Sequence, residues 1–434
     1  MGIEKNDNLF DLSSLRSVDN GSECSRKFFG SSSFIFTLLL LIALVLSAVV
    51  ILRDSGIVPA WPMDQAFVEA ADLRIGRVNG SWVFHYPNLQ DSGGISSKLI
   101  AGIYKLIVPT TSRNLNWHIR ILAMVMYLVS GALLIQSYLK KTPVRLVSLV
   151  LIAGSGYQFV QPSSELFAAS LLSFFLVCIV NRLPVWFASL LLVGYGFSKV
   201  ELVLSSLVLA GFWMWIERNN PSRRFMIPIS FLFWFSALLL PSIRINGWQT
   251  LSGSRSWPAF APKYTSLFHP HQINPPNNDP WGYSNQTIDI IFPKSEHKVI
   301  NVILRYPRMY LDYFVLSLNQ SILNILASIK LLILPVIFWF ASPKLPLSPR
   351  KKVAAIALLI VCIFGLFPAT LLGFIHIRYV MRYYPLIVVV LLGMFLDENQ
   401  EQKWIYKITW VAAIGTLILQ FIFLPDVISQ SHYL

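Results

Sequence analysis

The sequence predicts an all-α polytopic membrane bundle of about eleven transmembrane helices with two long extracytoplasmic loops. Three observations carry this. Of 434 residues, 55% are hydrophobic and 13% charged, with a mean hydropathy of +0.59, whereas soluble domains carry about 25% charged residues. Apolar runs of helix-spanning length recur along the whole chain, and they do not alternate as barrel strands do. Short loops rich in Lys and Arg recur after every second run.

The first run is 34–52, with Arg26 and Lys27 just before it. The preceding tail, 1–33, mixes charges and shows no small-residue cleavage site, so the run reads as a retained signal anchor. Residues 34–434 then form one transmembrane region. Further runs follow at about 119–139, 144–160, 165–181, 184–198, 199–216, 225–243, 321–341, 353–373, 380–396 and 404–424. Several are short, as expected of tilted or buried helices.

Charge orients these runs. With the N-terminus in the cytoplasm, the returning loops are Lys140–Arg145, Asn181-Arg182, Glu217–Arg224, Pro349–Lys352 and Asp397–Lys407, and each carries Lys or Arg. The opposite turns, 161–164, Ser198 and 373–379, carry few charges. The step that decides the later orientation is a hairpin near Ser198. One continuous helix over 184–216 would swap every later loop.

Two long loops fall on the outer side, 53–118 and 244–308. In the first, the spacing of Phe67, Val68, Ala71 and Ile75 predicts a helix over Gln65–Val78. Leu99–Val108 is a short apolar stretch suited to the membrane interface. The second loop, dense in Pro, Asn, Trp and Tyr over 257–287, predicts ordered irregular chain, not helix.

Much of the net charge of +14 is explained by these retention loops, and no basic folded domain outside the membrane is apparent for nucleic acid. Cys24, Cys178 and Cys362 have neither zinc spacing nor a disulfide pattern and read as small apolar filler. His269, Pro270 and His271, with His297, Asp279 and Glu296, make a poor metal set, because the proline limits how the rings converge. The sequence therefore predicts no metal and no cofactor. No glycine-rich phosphate loop, nucleotide motif or Ser-His-Asp pattern stands out.

Ionisable residues near span ends are the candidates for chemistry. Asp64, in the first outer loop, reads either as a general base at the lipid–water boundary or as the cap of a helix starting at Gln65. Glu165 follows Gln161-Pro162-Ser163-Ser164 at a span start; it either serves a site or stabilises the helix dipole. Lys199, in GFSKVELVL, either binds phosphate as a point charge or snorkels or pairs locally with Glu201 or Asp64. His376, Arg378 and Arg382 lie in GFIHIRYVMRYYPLIVVV, the first two in the last outer loop and Arg382 opening the next span. Arginine forks suit phosphate oxygens, and the alternative is snorkelling to headgroups.

In order and spacing this set resembles the GT-C superfamily of integral-membrane glycosyltransferases, in particular the bacterial type that uses polyprenyl-phosphate-linked sugars. The resemblance lies in an acid after span one, a Pro-Ser-Ser-Glu-Leu span start, Lys-x-Glu before another span, and a late Arg-Tyr before a proline-containing span. It implies that Asp64 acts as base or acceptor orienter, that Glu165 is the later acid, that Lys199 and Glu201 are the basic-x-Glu pair, and that Arg378 and Tyr379 are the Arg-Tyr pair. Many members carry two adjacent acids where this chain has Asp64-Gln65. The resemblance further implies a lipid-linked sugar donor, an acceptor of undefined class (glycan, lipid or protein), and a bacterial inner membrane. Phosphate departure would be helped by cations. Two rivals predict other features. A transporter or flippase of a lipid-linked glycan predicts repeated halves with broken helices. A polysaccharide polymerase or ligase predicts a lipid-linked oligosaccharide donor.

Overall fold

The computed structural model describes residues 32–54, 75–78, 81–84, 94–108, 112–155, 163–248, 256–268, 288–340, 348–372, 377–397 and 403–422. Asp64, His376, Cys24, His269, His271 and Asp279 lie outside the described residues.

The described chain is almost entirely helical: α1 Ser32–Asp54, α2 Gly94–Ile107, α3 Ser112–Tyr138, α4 Thr142–Ala153, α5 Ser163–Val180, α6 Val185–Gly196, α7 Val203–Ile216, α8 Pro221–Asn246, α9 Ser256–Phe268, α10 Val299–Arg305, α11 Pro307–Ile329, α12 Ile333–Phe340, α13 Pro349–Val361, α14 Phe367–Leu372, α15 Ile377–Met381, α16 Tyr384–Leu392 and α17 Lys403–Ile422. Among the described residues, four helical stretches are long and apolar enough to cross a membrane: His118–Tyr138, Pro221–Asn246, Pro307–Ile337 and Pro349–Leu371. This is the character of a membrane protein.

Helix boundaries follow local chemistry. Proline opens α8, α11 and α13 in the first turn, where its missing N–H costs no intrahelical bond. Asn220 caps α8 by accepting from the Arg223 N–H. The apolar run over 184–216 is broken, as the charge pattern requires. Helix α6 ends at Gly196, a turn and a 3-10 segment (Val200–Leu202) follow, and α7 packs back on α6. A Cβ on Gly196 would overlap the Ser206 hydroxyl, so glycine permits this close return.

Three expectations are corrected. Ile75–Val78 is a strand, paired antiparallel with Ser81–Phe84 in the register Ile75↔Phe84 and Val78↔Ser81, so the helical spacing does not extend over these four residues. The sequence between them is Asn79-Gly80, the strongest short hairpin signal, which outweighs the weak apolar period. The part of the second loop's aromatic stretch that is described, Ser256–Phe268, forms α9 despite its two prolines. Trp257, Phe260 and Tyr264 bury against Phe292 and Tyr313, and tertiary packing overrides composition there. Burial and nearby Asp312 push the Tyr264 phenol up. Finally, the helix expected from 321 begins at Pro307; its first turns carry Arg308 and Asp312, and hydropathy alone passes over them.

At the centre lies α16, every residue of which is buried, packed by α3, α4, α5 and α13. Hydrogen bonds tie the five Lys/Arg-bearing loops together at one end of the bundle. Asn181 donates to Ser137 at 3.1 Å. Arg223 donates to the carbonyls of Arg182 and Leu183 at 3.2 and 3.1 Å and to Glu217 at 3.2 Å. Asp397 accepts from the backbone N–H of Lys140 and Lys141 and from Lys351 Nζ.

Candidate functional site

At the other end of α16, four ionisable side chains among the described residues meet. Glu165 stands in the first turn of α5, Lys199 and Glu201 on the α6–α7 turn, and Arg382 in the break between α15 and α16. Arg382 donates Nε and Nη2 to the two oxygens of Glu165, the second at 3.1 Å. Its Nη2 also reaches Glu201 at 3.0 Å. Lys199 Nζ lies 3.0 Å from Glu165. Lys199 thus pairs with an acid 34 positions earlier in the numbering, and it also lies within electrostatic reach of Glu201.

The cluster is graded in depth. The Arg382 and Glu165 side chains are 1% and 2% exposed, while those of Lys199 and Glu201 are 13% and 27% exposed. The deep pair is a strut; the outer pair faces the surroundings. Among the described residues two acids and two cations balance, which an apolar bundle requires of buried charge.

A layer of aromatic and hydroxyl groups backs the quartet. Arg382 sits 4.5 Å from the Tyr379 ring centroid, a cation–π contact. Next in the chain, Tyr383 accepts from the Tyr195 hydroxyl at 3.3 Å, and Tyr195 lies 3.1 Å from Ser205 Oγ. Gly365, in a π-helical segment (Cys362–Leu366), leaves room for this tyrosine, because a Cβ there would overlap the Tyr383 hydroxyl. Tyr195, Ser205, Tyr383 and Gly365 were not candidates on sequence. The signal available was the Tyr383-Tyr384 pair beside Arg382, and paired tyrosines in an apolar run read equally well as packing.

The structure therefore joins Glu165, Lys199, Glu201, Tyr379 and Arg382. Arg378 belongs to the short helix α15, not to a loop, and Arg382 precedes the helix it was expected to open. Asp64 and His376 lie outside the described residues. Among those described, no group of three or more His, Cys, Asp or Glu gathers to hold a metal ion. Cys178 and Cys362 are unbridged, with Cys178 buried.

Nothing matches this chain among protein-family models, curated proteins or solved structures. The likeness to the GT-C superfamily rests on the residues quoted from the sequence alone.

Proposed function

We propose that the protein is a polytopic membrane glycosyltransferase that moves a sugar from a polyprenyl-phosphate carrier to an acceptor at the outer face of a bacterial inner membrane. One observation supports this reading most: the deep Arg382–Glu165 strut holds Lys199 and Glu201 at the margin of an apolar bundle. A lipid-linked sugar phosphate needs this combination, because its chain is too apolar to leave the bilayer and its headgroup too polar to enter it.

In this reading the seven shorter apolar helices cross the membrane along with the four long ones, giving the eleven spans of the sequence. Short spans buried by neighbours tolerate local thinning and tilt. The N-terminus lies in the cytoplasm, and the quartet faces out. Lys199 neutralises charge on the departing phosphate, a role that low-dielectric surroundings strengthen. Glu201 orients sugar hydroxyls, and Arg378 and His376 supply further phosphate contacts. Arg382, its fork taken up by two carboxylates, positions Lys199 and Glu201 through Glu165. Asp64 accepts the proton of the attacking hydroxyl.

The test is transfer by the purified protein. Labelled polyprenyl-phosphate sugars are offered one at a time, and label is followed into acceptor. Transfer that requires Asp64 and Lys199 sustains the reading, and the same turnover with Asp64→Asn removes the base.

A second reading, a transporter or flippase of a lipid-linked glycan, draws support from the interruption between α15 and α16 at a buried arginine, because broken helices carry transporter sites. It predicts movement of an intact labelled lipid across a vesicle without transfer of its sugar. The polymerase or ligase alternative predicts that only an oligosaccharide donor is used.

A further inference from the structure

At the end of the bundle away from the quartet, distant segments that carry cations are tied to one buried carboxylate. Asp397 accepts from Lys140 N at 3.0 Å, Lys141 N at 2.8 Å and Lys351 Nζ at 2.8 Å, and its side chain is fully buried. Lys141 Nζ donates to Leu396 O at 2.9 Å, Lys351 Nζ to Gly393 O at 3.1 Å and Arg145 Nε to Leu139 O at 2.7 Å. Arg145 lies within electrostatic reach of Asp397, and Arg350 within reach of Tyr138 at the end of α3. The segments that carry Lys140, Lys141, Arg145 and Lys351 are thus held in one layer, and Arg350 precedes Lys351 directly in it. Lys140 is exposed and Arg350 half-buried, and among the described residues neither side chain makes an ion pair. In the sequence that follows, Glu398 and Glu401 are matched by Lys403 and Lys407, so the basic excess stands.

An apolar bundle places such a layer at the level of lipid phosphates. Retention of a loop on one side of a membrane requires only that cations be present, and it does not require that they converge. Here Asp397 organises the layer and is itself saturated, so it leaves the exposed Lys140 and the half-buried Arg350 side chains without a counter-charge among the described residues. We infer that Lys140, Arg145 and Arg350 form a docking surface for the phosphate headgroup of an anionic phospholipid in the adjoining leaflet. Each such cation contributes about fivefold to attraction for an anionic headgroup.

The test is lipid retention by the purified full-length protein in mixed micelles of equal phosphatidylglycerol and phosphatidylcholine, read by native mass spectrometry. The protein is expected to retain phosphatidylglycerol preferentially. Lys140→Gln and Arg350→Gln should each lower that retention about fivefold, and together about 25-fold. A control pair, Arg218→Gln with Arg224→Gln, removes equal charge from the same end and should leave retention unchanged. Undiminished retention in the Lys140/Arg350 pair overturns the inference. So does an equal loss in the control pair, which would make the effect one of general surface charge. Displacement of the lipid by excess inorganic phosphate would assign the surface to a soluble anion, against the lipid named here.

Discussion

The Arg382 guanidinium is held by Glu165, a residue 217 positions away in the numbering, through both oxygens of its carboxylate. The bond ties the first turn of α5 to the break before α16, and α16 is the buried centre of the bundle. From Arg382 the chain runs on through α16 to Asp397, and at 1.5 Å per residue the two ion clusters stand roughly 20 Å apart. Each end of the central helix is thus pinned by charge, with an apolar layer between. One cluster carries a carboxylate and an ammonium toward its surroundings. The other leaves Lys140 exposed beside the buried Lys351–Asp397 pair.

Breaking the deep strut should destabilise the protein more than removing it. Glu165→Gln or Arg382→Met alone leaves the buried quartet one charge out of balance, although Lys199 still meets Glu165 and Glu201 still meets Arg382, at a cost of up to about 3–5 kcal/mol. The double variant Glu165→Gln/Arg382→Met should regain most of this. Thermal unfolding in detergent reads the difference, and equal losses in single and double variants would show that the pair carries no specific coupling.

Lys199 should matter to ligand more than to fold. Its side chain lies at the margin of the quartet, and Arg382 remains to balance Glu165. Lys199→Met is therefore expected to shift the melting temperature little. A charged hydrogen bond of about 1.5–3 kcal/mol lost to a phosphate should raise the KM for a lipid-phosphate sugar by about tenfold or more. A large fall in melting temperature with unchanged KM would make Lys199 a structural residue.

Gly365→Ala tests the packing behind Arg382. The added methyl meets the Tyr383 hydroxyl, and overpacking of this kind costs about 1–3 kcal/mol. Pairing it with Tyr383→Phe removes the colliding oxygen and should restore stability. The rescue is read as a shift in melting temperature, and its absence would place the strain elsewhere.

Asp397→Asn should also destabilise, by about 3–5 kcal/mol, because it leaves Lys351 buried without a counter-charge. Asp397→Asn with Lys351→Met should recover part of the loss, less than at the quartet. The Lys140 and Lys141 backbone N–H groups would still face an amide in place of a carboxylate. Unfolding midpoints of the two variants check this order.

The helical runs were legible because hydropathy repeats over spans of helix length, and the hairpin at Ser198 was legible because loop charge alternates. What escaped was set by packing or by a stronger local signal. Proline and asparagine in the second loop argued against helix, yet buried Phe260 and Tyr264 supply contacts that composition does not encode. The period through Ile75 argued for helix, and Asn79-Gly80 beside it argued for a hairpin. Glu165, Lys199, Glu201 and Arg382 were legible one by one as ionisable residues at span ends. Their mutual pairing was not, since residues far apart in sequence show no sign of contact. Tyr195 and Gly365 gave no sign at all, because a tyrosine and a glycine within apolar runs are ordinary packing residues.

The most direct measurement is sugar transfer by the purified protein from labelled polyprenyl-phosphate sugars, compared between the unaltered chain and Asp64→Asn. The account predicts label moving from lipid to acceptor in the first and none in the second, with both equally folded. No transfer from any such donor by the unaltered chain, or equal transfer by the two proteins, would contradict it.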